Sequence, residues 1–477
     1  MWAAHNSQER NKMKVTDAFL DFAQKYGEYE NLPEEVVKEV KWTLLDGLGN
    51  ALAGIASDKG KIGISMAHQM GGTPESTIIG VGGKVSAPVA AFANAELLNG
   101  LDMDPIPHIP PVVIPSVLAV AEAEKLSGKK FISSLAVGQE VGARLVNTFS
   151  MAMIVSYIKY GKTPDVFSNS NEGIIGAGLG NAVAMGLDRE KMAHTIGISA
   201  YYCTLPACHD WESGCPKEMI KYAPVAWLAQ GGVQAAMLAR LGYQGSAYTL
   251  DNEYGFPMYN NHSTDIWDPE KIAGGLGESW DITRFLYKPY PCCSFIHPIL
   301  DCFTKLLAEE KLSKDEIEDI QCFTAPFKAH PDQYSVSNQI DVQFSAPYCF
   351  ALVANNYSIG AGWQSKEALV DPKVREFMQK VHMNIAPEYG EWRKKDPKSW
   401  YGRIEVKARG QVYKVETLYP KGARVEGYAF TEDEMIKRFK SMANTILTDD
   451  KIERATDAIM NLEKLENIDS LVENICL

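Results

Sequence analysis

The sequence predicts a mainly α-helical protein with an α+β part. Three observations predict it. Small and apolar residues recur at helical spacing through most of the chain up to about Asp268. Polar and apolar residues alternate on both sides of Gly410, the mark of a β-hairpin. Thr431-Glu432-Asp433-Glu434 then forms a capping box that restarts helix and opens a charged, amphipathic tail.

Pro33-Glu34-Glu35 opens the first long helix, where proline forfeits no hydrogen bond and acids suit the helix dipole. Val37, Val40, Leu44 and Leu48 mark one face of it. Gly47, Gly49 and Gly54 each cost roughly 0.5–1 kcal/mol against alanine, so another backbone is expected to approach closely there. The stretches 116–126, 131–149, 173–185, 189–200 and 223–241 continue as helices. Many are apolar nearly all round, as in the interior of a large bundle. The segments 342–364 and 222–239 lack charge, but their polar residues, prolines and Gly-Gly pair favour a buried core over a bilayer span. After Asp268 the pattern changes. Residues 316–323 end in a strand-like alternation, and 403–408 and 412–417 form the hairpin around Gly410. The region 276–424 is therefore a mixed unit. No internal repeat, low-complexity tract or long linker interrupts the chain.

A net charge of -13 argues against a nucleic acid or an anionic membrane as partner. An anionic substrate would need a local basic pocket, for which Lys217 and Lys221 are candidates. Nine cysteines, an odd number, and no signal peptide point to reduced thiols in the cytoplasm. Cys292 and Cys293 are adjacent rather than spaced for zinc, and no His-Glu-x-x-His run occurs. Gly176-Ala177-Gly178-Leu179-Gly180 comes near a nucleotide-binding loop but lies in a helical stretch, where packing explains it. Neither a metal nor an organic cofactor is expected.

The segment from Asn94 to Pro115 carries the chemistry. It starts as a helix rich in small residues and reaches Asp102 and Asp104. Five prolines, at 105, 107, 110, 111 and 115, then predict an extended, stiff loop holding His108. Carboxylates at a helix end facing a histidine on a rigid loop are what proton transfer needs. Each residue also has an ordinary reading, as a solvated cap or a structural histidine.

The segment resembles the signature of the MmgE/PrpD family, which includes 2-methylcitrate dehydratase, cis-aconitate decarboxylase and iminodisuccinate epimerase. Asn94, Asp102-Met103-Asp104, His108 and Val113-Ile114-Pro115 carry the likeness. Leu45-Asp46-Gly47-Leu48-Gly49, Gly173 through Asp188, and Lys221 with Gly231-Gly232 support it. So do Lys288-Pro289-Tyr290-Pro291-Cys292-Cys293 with His297-Pro298, Gln343-Phe344-Ser345, and Pro420-Lys421-Gly422. The resemblance implies a helical domain built from residues 1–275 with 425–477, and an inserted α+β lid over 276–424. It implies a homodimer and a small carboxylic acid substrate. Asp102 and His108 become the acid/base candidates, and Lys221 the cation for a substrate carboxylate. Asn94, Lys217, Cys293 and His297 become candidates for substrate binding. Two readings stand for several of these: Lys221 as a snorkelling lysine, Cys292-Cys293 as buried thiols, and His297 as structural.

The sequence departs from the family in two places. Gly161-Lys162-Thr163-Pro164 lacks a histidine usual there, and the loop after Asp104 is short and apolar. Both point away from 2-methylcitrate and cis-aconitate toward a smaller or less charged acid. Three activities stay open: a cofactor-independent lyase, an epimerase using the same carbanion, and a non-catalytic homologue.

Overall fold

The computed structural model describes residues 13–160, 168–204, 208–261, 267–325, 331–396 and 398–477. It is 58% helix and 9% strand, so the mainly α reading holds. Helices α1 (Val15–Tyr26), α2 (Glu34–Gly54) and α3 (Asp58–Met70) lead to a ribbon of β1 (Ser76–Thr77) and β2 (Lys84–Val85). Then come α4 (Ala87–Asn99), α5 (Pro110–Ala123), α6 (Gly128–Tyr160), α7 (Gly173–Ala184), α8 (Arg189–Tyr202), α9 (Cys208–Ser213) and α10 (Val225–Arg240). Short helices α11 (Phe256–Asn261) and α12 (Pro269–Ala273) precede α13 (His297–Glu310). The mixed region holds β3 (Ile317–Thr324), α14 (Gln339–Phe344), α15 (Ala346–Ala354), α16 (Lys366–Val370) and α17 (Pro372–Met378). It continues with β4 (Val381–Ile385), α18 (Tyr389–Lys395), β5 (Gly402–Ala408) and β6 (Gln411–Thr417). Helices α19 (Glu432–Ala443), α20 (Asp449–Met460) and α21 (Asp469–Asn474) end the chain.

Helices α4, α5, α7 and α10 form the centre, with α6 along α7 and α2 along α4. The small residues are where backbones meet. A Cβ on Gly54 would lie 1.9 Å from the Leu97 carbonyl oxygen of α4, and one on Gly176 would lie 2.3 Å from the Gly138 carbonyl oxygen of α6. The glycine run in α7 therefore serves helix packing. The chain returns at its end: α19 opens with the Thr431–Glu434 capping box and lies along α2, burying Met435, Phe439 and Met442.

The sheet has the order β4-β3-β5-β6, with β3 parallel to β4 and antiparallel to β5. The hairpin of β5 and β6 turns at Arg409 and Gly410, both at positive φ, as a two-residue primed turn requires. Strand β4 lies outside the sequence expectation, because an edge strand of five residues has only Val381 fully buried and shows little alternation.

One expectation needs correction. The proline-rich run does not stay extended to Pro115. Pro110 and Pro111 start α5 and Pro115 lies inside it. Prolines in a first turn forfeit nothing, and Pro115 gives up only one bond, to the carbonyl of Pro111. No helix among the described residues is long and apolar enough to cross a membrane.

Candidate active site

Helix α4 is apolar nearly all round and stops at Asn99. The loop from Gly100 to Ile109 follows. In it Asp102 adopts φ 57, in the left-handed region that few residues enter without cost. Ile106 exchanges two backbone hydrogen bonds of 2.9 Å with Leu286, which ties the loop to the segment carrying Lys288. The Ile106–Pro107 peptide is cis. The Met103 carbonyl accepts from Asn50 of α2 at 3.3 Å and from Arg438 of α19 at 3.1 Å. Both donors also hold Asp46, at 2.8 and 2.6 Å. Both ends of the chain thus fix this loop.

Asp102, Asp104, His108, Lys221 and Lys288 meet behind it, none more than 4% exposed. Lys221 Nζ lies 2.5 Å from Asp102 Oδ1, and Lys288 Nζ lies 2.7 Å from Oδ2. Lys288 also donates to the Asp102 carbonyl at 2.9 Å. Asp104 forms a separate dyad: its Oδ2 is 2.5 Å from His108 Nδ1, and its Oδ1 accepts from Asn99 at 3.1 Å. The Tyr222 ring stacks on His108 with centroids 4.8 Å apart, and its hydroxyl donates to Asp102 at 3.4 Å. Lys221, like Asp102, sits at φ 57.

Burial opposes every charge here, and the partners decide which survive. It would raise the Asp102 pKa, but Lys221 and Lys288 outweigh it and hold the carboxyl below its usual range. Burial lowers Lys221 to about 8 against the pull of Asp102. Lys288 ends above the ordinary lysine value, because Asp102 and Asp104 override its burial. His108 is lowered by burial, which Asp104 offsets only in part. The imidazole is therefore neutral near pH 7. Since a carboxylate oxygen accepts, Nδ1 carries the hydrogen and Nε2 the lone pair.

Two family models cover most of the chain: the MmgE/PrpD N-terminal domain matches residues 18–265 and the MmgE/PrpD C-terminal domain matches 290–464. The chain belongs to the MmgE/PrpD family. Among its relatives is the cis-aconitate decarboxylase-like protein oryM of Aspergillus oryzae, 22% identical with 93% of each chain covered. The cis-aconitate decarboxylase of Homo sapiens is 23% identical, with 92% of this chain and 89% of that one covered. The mouse enzyme of the same name is also 23% identical, over 92% and 88%.

The structure of this MmgE/PrpD protein brings Asp102, His108 and Lys221 together, although Lys221 stands far from the others in sequence. Their local settings differ from expectation. Asp102 lies beyond the end of α4, and Lys221 lies in the turn before α10. Lys217 does not reach the cluster, since its ammonium donates to the carbonyls of Trp211 and Glu212 at 2.9 and 2.7 Å. The Asn94 amide is taken up by the backbone of Thr77 and Ile79. Cys293 lies near Asp102 and Lys288, with burial pushing its thiol up to about 12. Thr163 lies outside the described residues. Among the described residues no three His, Cys, Asp or Glu side chains are placed to hold a metal ion. Lys288, Asp104 and Tyr222 join the cluster without having been singled out as site residues. The signal for Lys288 was its place in a run of proline, tyrosine and cysteine, where a buried ammonium needs a counter-charge.

His297 is fully buried. Its Nε2 donates to the Cys292 carbonyl at 3.0 Å, and Nδ1 has no partner among the described residues. Burial, helped by Lys288, lowers its pKa to about 3. The unfolded chain, with a histidine near 6.5, thus binds this proton first. The His297 contribution is complete above pH 6.5 and is lost as pH falls toward 3. Going from pH 7 to 5 should cost about 2 kcal/mol through this one group. Urea unfolding of the wild type and His297→Gln at both pH values checks this. The glutamine keeps a donor for Cys292 but does not titrate, so its acid sensitivity should be smaller by that amount.

Proposed function

We propose that this protein is a cofactor-independent lyase that removes a proton next to the carboxylate of a small carboxylic acid. The observation that carries the reading is the placement of a neutral imidazole, oriented by Asp104, beside two buried ammonium groups that share one carboxylate. The imidazole Nε2 takes the proton. Lys221 and Lys288 stabilise the negative charge that moves onto the substrate carboxylate. Family membership and the names of the relatives support the lyase class.

The same reading takes residues 1–275 with 425–477 as the helical domain and 276–424 as the lid. It takes the protein as a cytoplasmic homodimer. The packing of α19 on α2 supports the division. Exposed Tyr201, Trp227, Leu241 and Tyr243, on or next to the paired helices α8 and α10, support an interface.

Incubating the protein with a panel of small 3-hydroxy and unsaturated acids in deuterated water tests the function. A lyase gives new alkene signals or releases carbon dioxide. Deuterium entering recovered substrate without a new product would replace the lyase reading with an epimerase, and no change across the panel would leave a binding protein.

A further inference from the structure

Lys221 and Lys288 spend their ammonium groups on one carboxylate, that of Asp102. A substrate carboxylate would need the same two cations. The other cations facing the cluster are committed. Lys59 lies 3.2 Å from Glu96 and 2.9 Å from the Asn99 amide oxygen. Arg438 lies 2.6 Å from Asp46. Tyr222, Cys293 and His297 face Asp102 from the remaining segments and are neutral near pH 7. The carboxylates of Asp102 and Asp104 thus balance the ammonium groups of Lys221 and Lys288, with His108 uncharged.

Resting on the lyase reading above, we propose that the site takes an acid with a single carboxylate, which displaces Asp102 from Lys221 and Lys288 while Asp102 takes up one proton from solvent.

The reason is the cost of an unpaired buried charge. Asp102 is ionised only because two lysines outweigh its burial. Once they turn to the substrate, burial favours the neutral carboxyl. The exchange keeps the net charge of the cluster at zero. It also sets a carboxylic acid beside a neutral imidazole, one to give a proton and one to take it. For a 3-hydroxy acid, the α C–H bond breaks with its proton going to His108 Nε2, and its electron pair forms the C=C bond. The C–O bond breaks, and the hydroxide leaves with the Asp102 proton as water. Asp102 returns to carboxylate, and the imidazolium releases its proton to solvent. A second or third substrate carboxylate would find each neighbouring cation committed, so it would have to bring a proton of its own.

Titration calorimetry of the full chain with crotonate, in two buffers of different ionisation heat, reads the proton count. About one proton should be taken up per crotonate bound. Because the complex holds the extra proton, crotonate affinity should fall about tenfold per pH unit from pH 6 to 7.5. At pH 7.5, cis-aconitate, with three carboxylates, should bind at least tenfold more weakly. The wild-type proton count decides, because in Asp102→Asn the proton of Lys221, already lowered to about 8 with Asp102 present, would also move on binding. Uptake near zero in the wild type, cis-aconitate binding as tightly as crotonate, or no binding of either acid overturns the proposal. Proton-linked crotonate binding with no turnover of any 3-hydroxy acid would instead remove the lyase reading and leave this one standing.

Discussion

Asp102→Asn is expected to destabilise the protein by about 3–5 kcal/mol, the usual cost of removing one partner from a buried ion pair. The substitution is nearly isosteric, so it leaves no cavity. It removes the charge that two buried ammonium groups share at 2.5 and 2.7 Å. Lys221, already lowered to about 8 by burial, should then give up its proton more readily. Part of the loss therefore grows as pH falls below 8, where the unfolded lysines are charged and the folded one must be charged too. A ligand carboxylate can replace the missing charge. Added crotonate should raise the melting temperature of Asp102→Asn more than that of the wild type, because ligand stabilisation follows affinity. Chemical unfolding at pH 7 with and without crotonate checks both halves. A variant as stable as the wild type would mean that the lysines are not held charged in the fold.

Much of the fold could be read from local chemistry. The hairpin at Gly410, the capping box at Thr431 and the glycine-rich helix faces each follow from short-range rules, and the structure shows all three. What the sequence did not show is where long-range pairing decides. Strand β4 exists because β3 offers it a parallel edge, not because Val381 to Ile385 alternates well. Pro115 is helical because the prolines before it had already started the turn. The site divides the same way. His108 and Asp102 stand in one segment with a readable pattern. Lys288 is separated from Asp102 by more than 180 residues, and long-range ties such as the pairing of Ile106 with Leu286 bring it in. Lys217 and Asn94 looked equally suited to a substrate, yet nearby backbone groups claim both side chains. A lysine's type and spacing do not reveal whether a carbonyl or a carboxylate will reach it first.

His108→Ala is expected to lower turnover by about 100-fold or more on the acid that the panel identifies, the range for loss of a general base. Orientation of the ring decides the size of the loss. Asp104 accepts from Nδ1 at 2.5 Å and Tyr222 stacks on the ring, so Nε2 is held with its lone pair available. Burial keeps the ring neutral near pH 7, so no proton has to leave before the reaction starts. The substitution leaves in place the Lys221 and Lys288 ammonium groups that would hold a substrate carboxylate, so KM should change only a few-fold. Asp104→Asn should cost less than the loss of the ring, because it keeps the base and removes only the group that fixes its tautomer. Added imidazole should restore part of the turnover of His108→Ala and none of that of Asp104→Asn, where the position is still filled. Steady-state kinetics of the three proteins, with and without imidazole, separate these outcomes. Wild-type turnover in His108→Ala would move the base elsewhere and leave the Asp104–His108 pair a structural one.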